Sequence, residues 1–404
     1  MSVYLDYNAT APIRPEAADA VARALGLGGN PSSVHARGRA ARAVVEDARA
    51  AVAALVGATA ETLIFTSGGT EANALAIDSA ITGGDIRRLI VSAVEHDCVA
   101  ETAKAGALPV EIWPVNGEGV ADIAWLRERL ARWDARDGRP FLALMLANNE
   151  TGVIQPVAAA ADIVHAAGGI IHVDAVQAVG KVAVDMVALG ADTLALSAHK
   201  LGGPQGTGAL AFSPRVALRR RLHGGGQERG LRGGTENVAG IAGFGAAARA
   251  VDIEAMAEQA HWRDAAAERL KSAGLRVAGE WASRLPNTLC VAAPDFPSSL
   301  QVMGLDLEGV MVSAGAACSS GKVKPSGVLQ AMGYGPLAEG ALRASGGWAT
   351  TEDDWRRFAD AWTQMHARRA VRRVPAKSAS DFASEPFDSR PFSANSADKG
   401  LGAA

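Results

Sequence analysis

Six short apolar runs punctuate the first half of the chain: TLIFTS (62–67), RLIVSAVE (88–95), FLALMLA (141–147), GIIHVDA (169–175), TLALSAH (193–199) and GALAFS (208–213). Runs this short and nearly without polar interruption read as strands covered on both faces. Between them, Ala36 to Val56 and Val157 to Ala167 carry apolar residues at helical spacing, although their alanine content blurs the period. The alternation predicts an α/β fold with a mostly parallel sheet between layers of helices. From about Asp252 the pattern changes to a long helix, then LRVAGE and NTLCVAAPD as short strands, then a closing helix near Glu352 to Arg372. This second region predicts a smaller α+β domain. The tail from Pro375 is rich in Ser, Ala, Asp and Pro without periodicity, a composition that predicts disorder. Its Phe382, Phe387 and Phe392, five residues apart, read as chance spacing rather than a docking motif. No internal repeat is present.

Length and charge narrow the function classes. A chain of 404 residues accommodates two domains with a sizeable shared core. Lys plus Arg total 40 against 43 Asp plus Glu, so the bulk balance points to neither a nucleic acid nor an anionic membrane. Arg219, Arg220 and Arg221, and the basic run Arg368 to Arg373, read as solvated helix faces. The start MSVYLDYNAT lacks a basic region followed by an apolar one, and no run approaches the ~18 apolar residues of a membrane span. The expected location is cytoplasmic. Cys98, Cys290 and Cys318 are widely spaced with no CxxC pattern, which fits a reducing compartment and leaves any cysteine chemistry to a single thiol.

Three strand ends carry candidate chemistry. After TLIFTS come Gly68, Gly69 and Thr70 at the start of a helix opened by Glu71, where close-approaching backbone amides suit a phosphate and serve equally well as a turn and N-cap. Asp174 closes GIIHVDA, with His172 two residues before and Gln177 three after; an acid there can hold a charged ring nitrogen or a metal, or simply cap a helix. In SAHK, Ser197 and His199 precede Lys200, an amine whose pKa would fall on burial, suiting it to a Schiff base, while an exposed loop lysine is the plainer reading. Together a phosphate cradle, an acid for a ring nitrogen and a nucleophilic amine are the three attachments that pyridoxal 5′-phosphate requires. A rival assignment makes His96, His172, Asp174 and His199 ligands of a metal hydrolase and leaves Lys200 without a role.

The motifs YLDYNATAP, GNPSSVHARGRAAR, FTSGGTEAN, EHDCV, NNETG, HVDAVQAVGK, SAHKLGGPQGTGAL, GGGQERGLRGGTENVAG and SAGAACSSGKVKPSGVL occur in this order over residues 3–370. They closely resemble the cysteine desulfurases of the NifS and IscS type, fold-type I enzymes of the class V aminotransferase family. The resemblance implies a large domain (14–251) built on a mostly parallel seven-stranded sheet, a small domain (252–374) bearing a catalytic cysteine loop, an N-terminal segment (1–13) packed with the small domain, and a tail (375–404) outside the match. It also implies the roles. Lys200 would form the Schiff base, Asp174 pair with the pyridine nitrogen, and Gln177 and Asn149 contact the ring oxygen. His96 would stack on the ring and shuttle protons. Gly69, Thr70, Ser197 and His199 would hold the phosphate, joined by Thr235 from the second subunit of a homodimer. Asn30 and Arg343 would bind the substrate carboxylate, a task suited to a forked guanidinium. Cys318, in a small-residue stretch that reads as a mobile loop, would take the sulfur of L-cysteine as a persulfide, leave L-alanine, and pass the sulfur to an acceptor or iron–sulfur scaffold protein. No metal is expected at the cofactor, and the Cys318 thiolate would be the group able to ligate a nascent cluster in such a complex. Cys98 and Cys290 read as inert small hydrophobes.

Two stretches depart from that family. LDYNAT has a tyrosine where an asparagine is expected after the aspartate, and ASGGWATTEDD after Arg343 lacks the usual leucine and a later basic or aromatic pair.

Overall fold

The computed structural model describes residues 2–315 and 326–372. The chain forms two compact units, Met1–Met365 and His366–Ala404, and the described residues of the second, 366–372, are helical. Cys318 and the tail from Pro375 lie outside the described residues.

Seven strands form the main sheet, in the spatial order Leu63–Thr66, Gly208–Phe212, Thr193–Ser197, Ile170–Asp174, Phe141–Met145, Leu89–Ser92 and Val110–Trp113. All neighbours are parallel except Gly208–Phe212, which runs antiparallel to both of its partners. Six strands coincide with the six apolar runs. The seventh, Val110–Trp113, reads VEIW and has Glu111 in its middle; as an edge strand it is only partly covered and needs no continuous apolar face. Helices lie on both sides, and their buried residues join the sheet in one core that includes Val52, Leu142, Leu144, Ile171, Leu194 and Phe244. Close packing shows at Gly245, where a Cβ would press on Ala48 of the helix Ala36–Leu55.

After the helix Ile253–Ser272, begun by Asp252 accepting from the Ala255 amide, the chain builds a smaller antiparallel sheet. Its order is Ser313–Ala314, Ala341–Ser345, Thr288–Ala292 and Arg276–Val277, backed by Trp355, Phe358 and Trp362. The first strand of the chain, Val3–Tyr4, pairs in parallel with Val310–Met311, and Asp6 bridges to Ser345. The N-terminal segment is therefore held by the last third of the unit.

The unusual GGW stretch meets that same segment. A Cβ on Gly347 would run into the ring of the buried Tyr7. Trp348 Nε1 donates to Pro12 O at 2.9 Å, and the Arg14 guanidinium lies 5.3 Å from the Trp348 ring centroid. Gly347 and Trp348 thus both pack on the segment of residues 7–14.

One expectation is corrected here. Arg219, Arg220 and Arg221 are exposed but sit on irregular chain, not a helix: Arg221 pairs with Asp78, and Arg220 Nε donates to Gly230 O at 2.6 Å. The glycines that follow deny the segment a helix. Among the described residues no helix is long and apolar enough to cross a membrane.

Candidate active site

Parallel strands place their carboxyl ends on one edge of the sheet, and that edge opens into a cavity of about 150 Å³. Gly69, Thr70, His96, Asn149, Asp174, Gln177, Ser197, His199 and Lys200 all line it. Asp174 and Ser197 are the last residues of adjacent strands, and a short turn, Ala198–Lys200, carries the lysine on from there.

The helix Gly69–Gly83 points its N-terminus at the cavity with no side chain capping it. Two glycines make the approach possible. A Cβ on Gly69 would crowd Val176 and Ser197, and a Cβ on Gly208 would strike the backbone of Gly68. The helix end, with its positive dipole, therefore sits beside Ser197 and His199. Burial, reinforced by Lys200 and Lys181, pushes His199 down to about 4, so it stands neutral at working pH.

Asp174 is 5 % exposed. Burial holds its carboxyl above the ordinary value, opposed by the Val176 amide, His96, Asn73 and Lys200. Its Oδ1 accepts from Val176 N at 3.0 Å and its Oδ2 from Asn73 Nδ2 at 2.7 Å. Lys200 Nζ donates to Asn8 O at 2.6 Å and Ala9 O at 2.9 Å. Gln177 Nε2 also donates to Asn8 O, at 2.9 Å, while its Oε1 accepts from the buried Lys181 at 2.5 Å. His96 caps the helix Asp97–Ala105 through Nδ1, which accepts from Cys98 N at 3.1 Å, leaving its proton on Nε2 when neutral.

The remaining expected residues stand elsewhere. Asn30 is exposed, its Oδ1 accepting from Ser32 N, and Thr235 is exposed as well. Arg343 is 2 % exposed and does not line the cavity: it donates to Asp6 Oδ1 at 2.8 Å and to Asn149 O at 3.2 Å, while its Nε has no partner among the described residues. Cys290 is buried with its thiol pushed up to about 12, as an inert residue would be. Cys98 differs from that expectation, being half-buried, lining the cavity and accepting from Asn73 at 3.2 Å. Asn73, Asn8 and Lys181 were not singled out in the sequence; Asn73 stands one helical turn beyond Gly69 and Thr70, on the same face, which is the signal that would have found it. The metal-ligand alternative loses His172, both of whose ring nitrogens are engaged, by Thr193 and Asn73 at 2.8 Å each.

This donor set fits pyridoxal phosphate. A buried acid, a lysine and an uncapped helix end with hydroxyl and imidazole beside it converge on one cavity.

Comparison with known proteins agrees. The aminotransferase class-V family matches residues 3–358. A cysteine desulfurase of Cereibacter sphaeroides is 43 % identical over 357 residues, 85 % of this chain and 90 % of that protein. The cysteine desulfurase IscS of Dictyoglomus turgidum is 38 % identical, covering 87 % of this chain and 91 % of its own. The NifS-like protein of Rickettsia africae superposes with a TM-score of 0.82 at 30 % identity, over 91 % of this chain and all of the other. The chain is a member of the class-V aminotransferases and, within them, of the pyridoxal-phosphate-dependent cysteine desulfurases.

Proposed function

We propose that the protein converts L-cysteine to L-alanine and loads the released sulfur on Cys318 as a persulfide for transfer to an acceptor protein. The observation that carries this reading is the convergence of Lys200, Asp174 and the Gly69–Thr70 helix end on one cavity. Bound there, pyridoxal phosphate supplies an electron sink through its ring. Asp174 would pair with the ring nitrogen and keep it protonated, and Gln177 and Asn149 would contact the ring oxygen. Gly69, Thr70, Ser197 and His199 hold the phosphate, and Thr235 of a second copy completes the cradle in a homodimer. Asn30 and Arg343 bind the substrate carboxylate, Arg343 exchanging its present Asp6 contact for it. Lys200 would be the base that moves the proton at the substrate α-carbon, with His96 as its partner through Nε2.

Cys318 contributes its thiolate. The substrate Cβ–S bond breaks, an S–S bond forms on Cys318, and the carbon takes a proton to become the methyl group of alanine. One cysteine and one thiol thus give one alanine and one persulfide, with no external oxidant. We place the division between large and small domains near Asp252, because the seven-stranded sheet ends at Phe212 and the four-stranded sheet begins at Arg276. A cytoplasmic setting suits the free thiols Cys98 and Cys290, and in a scaffold complex the Cys318 thiolate is the group for iron.

Incubation with L-cysteine and a reductant should release alanine and sulfide in equal amounts. Cys318→Ala should retain the yellow cofactor and release no sulfide. Full turnover by Cys318→Ala, or faster turnover of L-selenocysteine without any need for Cys318, would replace this reading with that of a selenocysteine lyase.

A further inference from the structure

Behind Asp174 lies a chain of buried polar groups that the reaction as described does not use. His172 stands two residues before Asp174 on the same strand, so both side chains share one face. Thr193 is the register partner of His172 on the adjacent strand, and Asn73 hangs over that face from the helix Gly69–Gly83. Asn73 and His172 are fully buried and Thr193 is 3 % exposed. The contacts run Thr193 Oγ1 to His172 Nδ1 at 2.8 Å, His172 Nε2 to Asn73 Oδ1 at 2.8 Å, and Asn73 Nδ2 to Asp174 Oδ2 at 2.7 Å.

Each donor in this chain is determined by the next acceptor. An ionised carboxylate only accepts, so Asn73 must turn its NH₂ toward Asp174 and its oxygen toward His172. Cys98 Sγ, 3.2 Å from the same nitrogen, takes the second amide proton. His172 therefore carries its proton on Nε2 and leaves Nδ1 bare, and the Thr193 hydroxyl donates to it. We propose that Thr193, His172 and Asn73 are positioning residues, a one-way hydrogen-bond relay that aims and keeps ionised the Asp174 carboxylate facing the cofactor ring nitrogen. This rests on the cofactor reading given above. The relay must be neutral to serve. A cationic imidazolium in that place would compete with the ring for the carboxylate, whereas an amide donor polarises the carboxylate without matching its charge. Burial pushes His172 down to about 3, which keeps the imidazole uncharged at any working pH. The other titratable groups that face Asp174 are Glu95, His96 and Lys200, with Cys98 reached through Asn73.

The test has two arms. In cofactor-free wild-type protein with ¹⁵N-labelled histidine, His172 should show a protonated Nε2 and a bare Nδ1, unchanged from about pH 5 to about pH 8. In the holoenzyme, His172→Phe and Thr193→Val should weaken cofactor retention, His172→Phe by about tenfold, and shift the pH midpoint of the visible band by about one unit. Thr193→Ser, which keeps the hydroxyl, should restore the wild-type midpoint. A proton on Nδ1, a His172 that titrates in this range, or an unmoved midpoint in both His172→Phe and Thr193→Val would overturn the relay. Wild-type protein that takes up no pyridoxal phosphate would instead sink the cofactor reading, while the tautomer, read without cofactor, still decides the relay.

Discussion

Lys181 Nζ donates to Asn8 Oδ1 at 2.7 Å, joining residues 173 positions apart in the interior of the protein. Asn8 is a junction. Its main-chain carbonyl accepts from Lys200 and Gln177, and its side-chain Nδ2 donates to Asn149 O and Thr288 Oγ1. Burial, with repulsion from Lys200 and Arg343, holds the Lys181 amine well below its ordinary value. Between that depressed value and the unfolded value near 10.5, the unfolded chain binds more protons, so this lysine makes stability rise with pH. Lys181→Met should flatten that rise and leave Gln177 Oε1 without its Lys181 donor, a loss of ~1–3 kcal/mol read at the alkaline end, where the lysine is neutral in both states. Denaturant midpoints of the cofactor-free protein at neutral and alkaline pH check both effects, and an equal alkaline rise in the variant would contradict the assignment.

Glu95 carries the opposite sign. Burial, then the charge of Asp174, raises its carboxyl to about 8, and its Oε2 has no partner among the described residues while Oε1 accepts from Met145 N. The folded state holds a proton there that the unfolded state releases above about 4.5, so stability falls as pH climbs from that value to about 8. Glu95→Gln should remove the fall, a difference on the order of a few kcal/mol at the alkaline end. Unfolding series across this range, run side by side, give the comparison.

Arg49 and Glu228 form a buried pair at 2.6 Å, and Glu228 also accepts from Phe65 N at 2.8 Å. The pair secures a turn in which Glu228 and Arg229 adopt φ of 44° and 57°, values that ordinary side chains resist. Glu228→Ala removes the buried counter-charge of Arg49, leaving it only the exposed Glu46 at 3.1 Å, and should cost about 3 kcal/mol. It should also loosen the chain leading to Thr235. Urea unfolding reads the first effect, and protease cleavage within residues 222–237 reads the second.

Gly347→Ala places a methyl group in the Tyr7 ring. Overpacking of this kind costs ~1–3 kcal/mol. Because Asn8 follows Tyr7 directly, the variant should release pyridoxal phosphate faster than wild type while keeping the same visible band. Dilution into an apo-enzyme trap measures that rate.

The strands were legible because a sheet covered on both faces imposes uninterrupted apolar runs, and Val110–Trp113 escaped because an edge strand is free of that constraint. Asp174, Lys200 and the Gly68–Thr70 turn were legible because each chemical group follows a strand directly. Asn73 and Lys181 carry no such marker. An asparagine within a helix and a lysine after a glycine look like surface residues until the fold brings His172 to one and Asn8 to the other. The partial exposure of Cys98 has a related origin: it depends on where the helix begun by His96 lands, a long-range outcome that composition does not encode.

The parallel pairing of Val3–Tyr4 with Val310–Met311 sets a timetable for biosynthesis. Asn8 reaches its place beneath Lys200 only when its neighbours on both sides are anchored, and those anchors include Ser345. At roughly 5–20 residues per second on the ribosome, the start of the chain waits on the order of half a minute for its partners to be made. Until then Lys200 lacks the Asn8 and Ala9 carbonyls that fix its amine, so the nascent protein should be a poor ligand for the cofactor even after its large sheet is complete. Uptake of the cofactor then reports the arrival of the end of the chain.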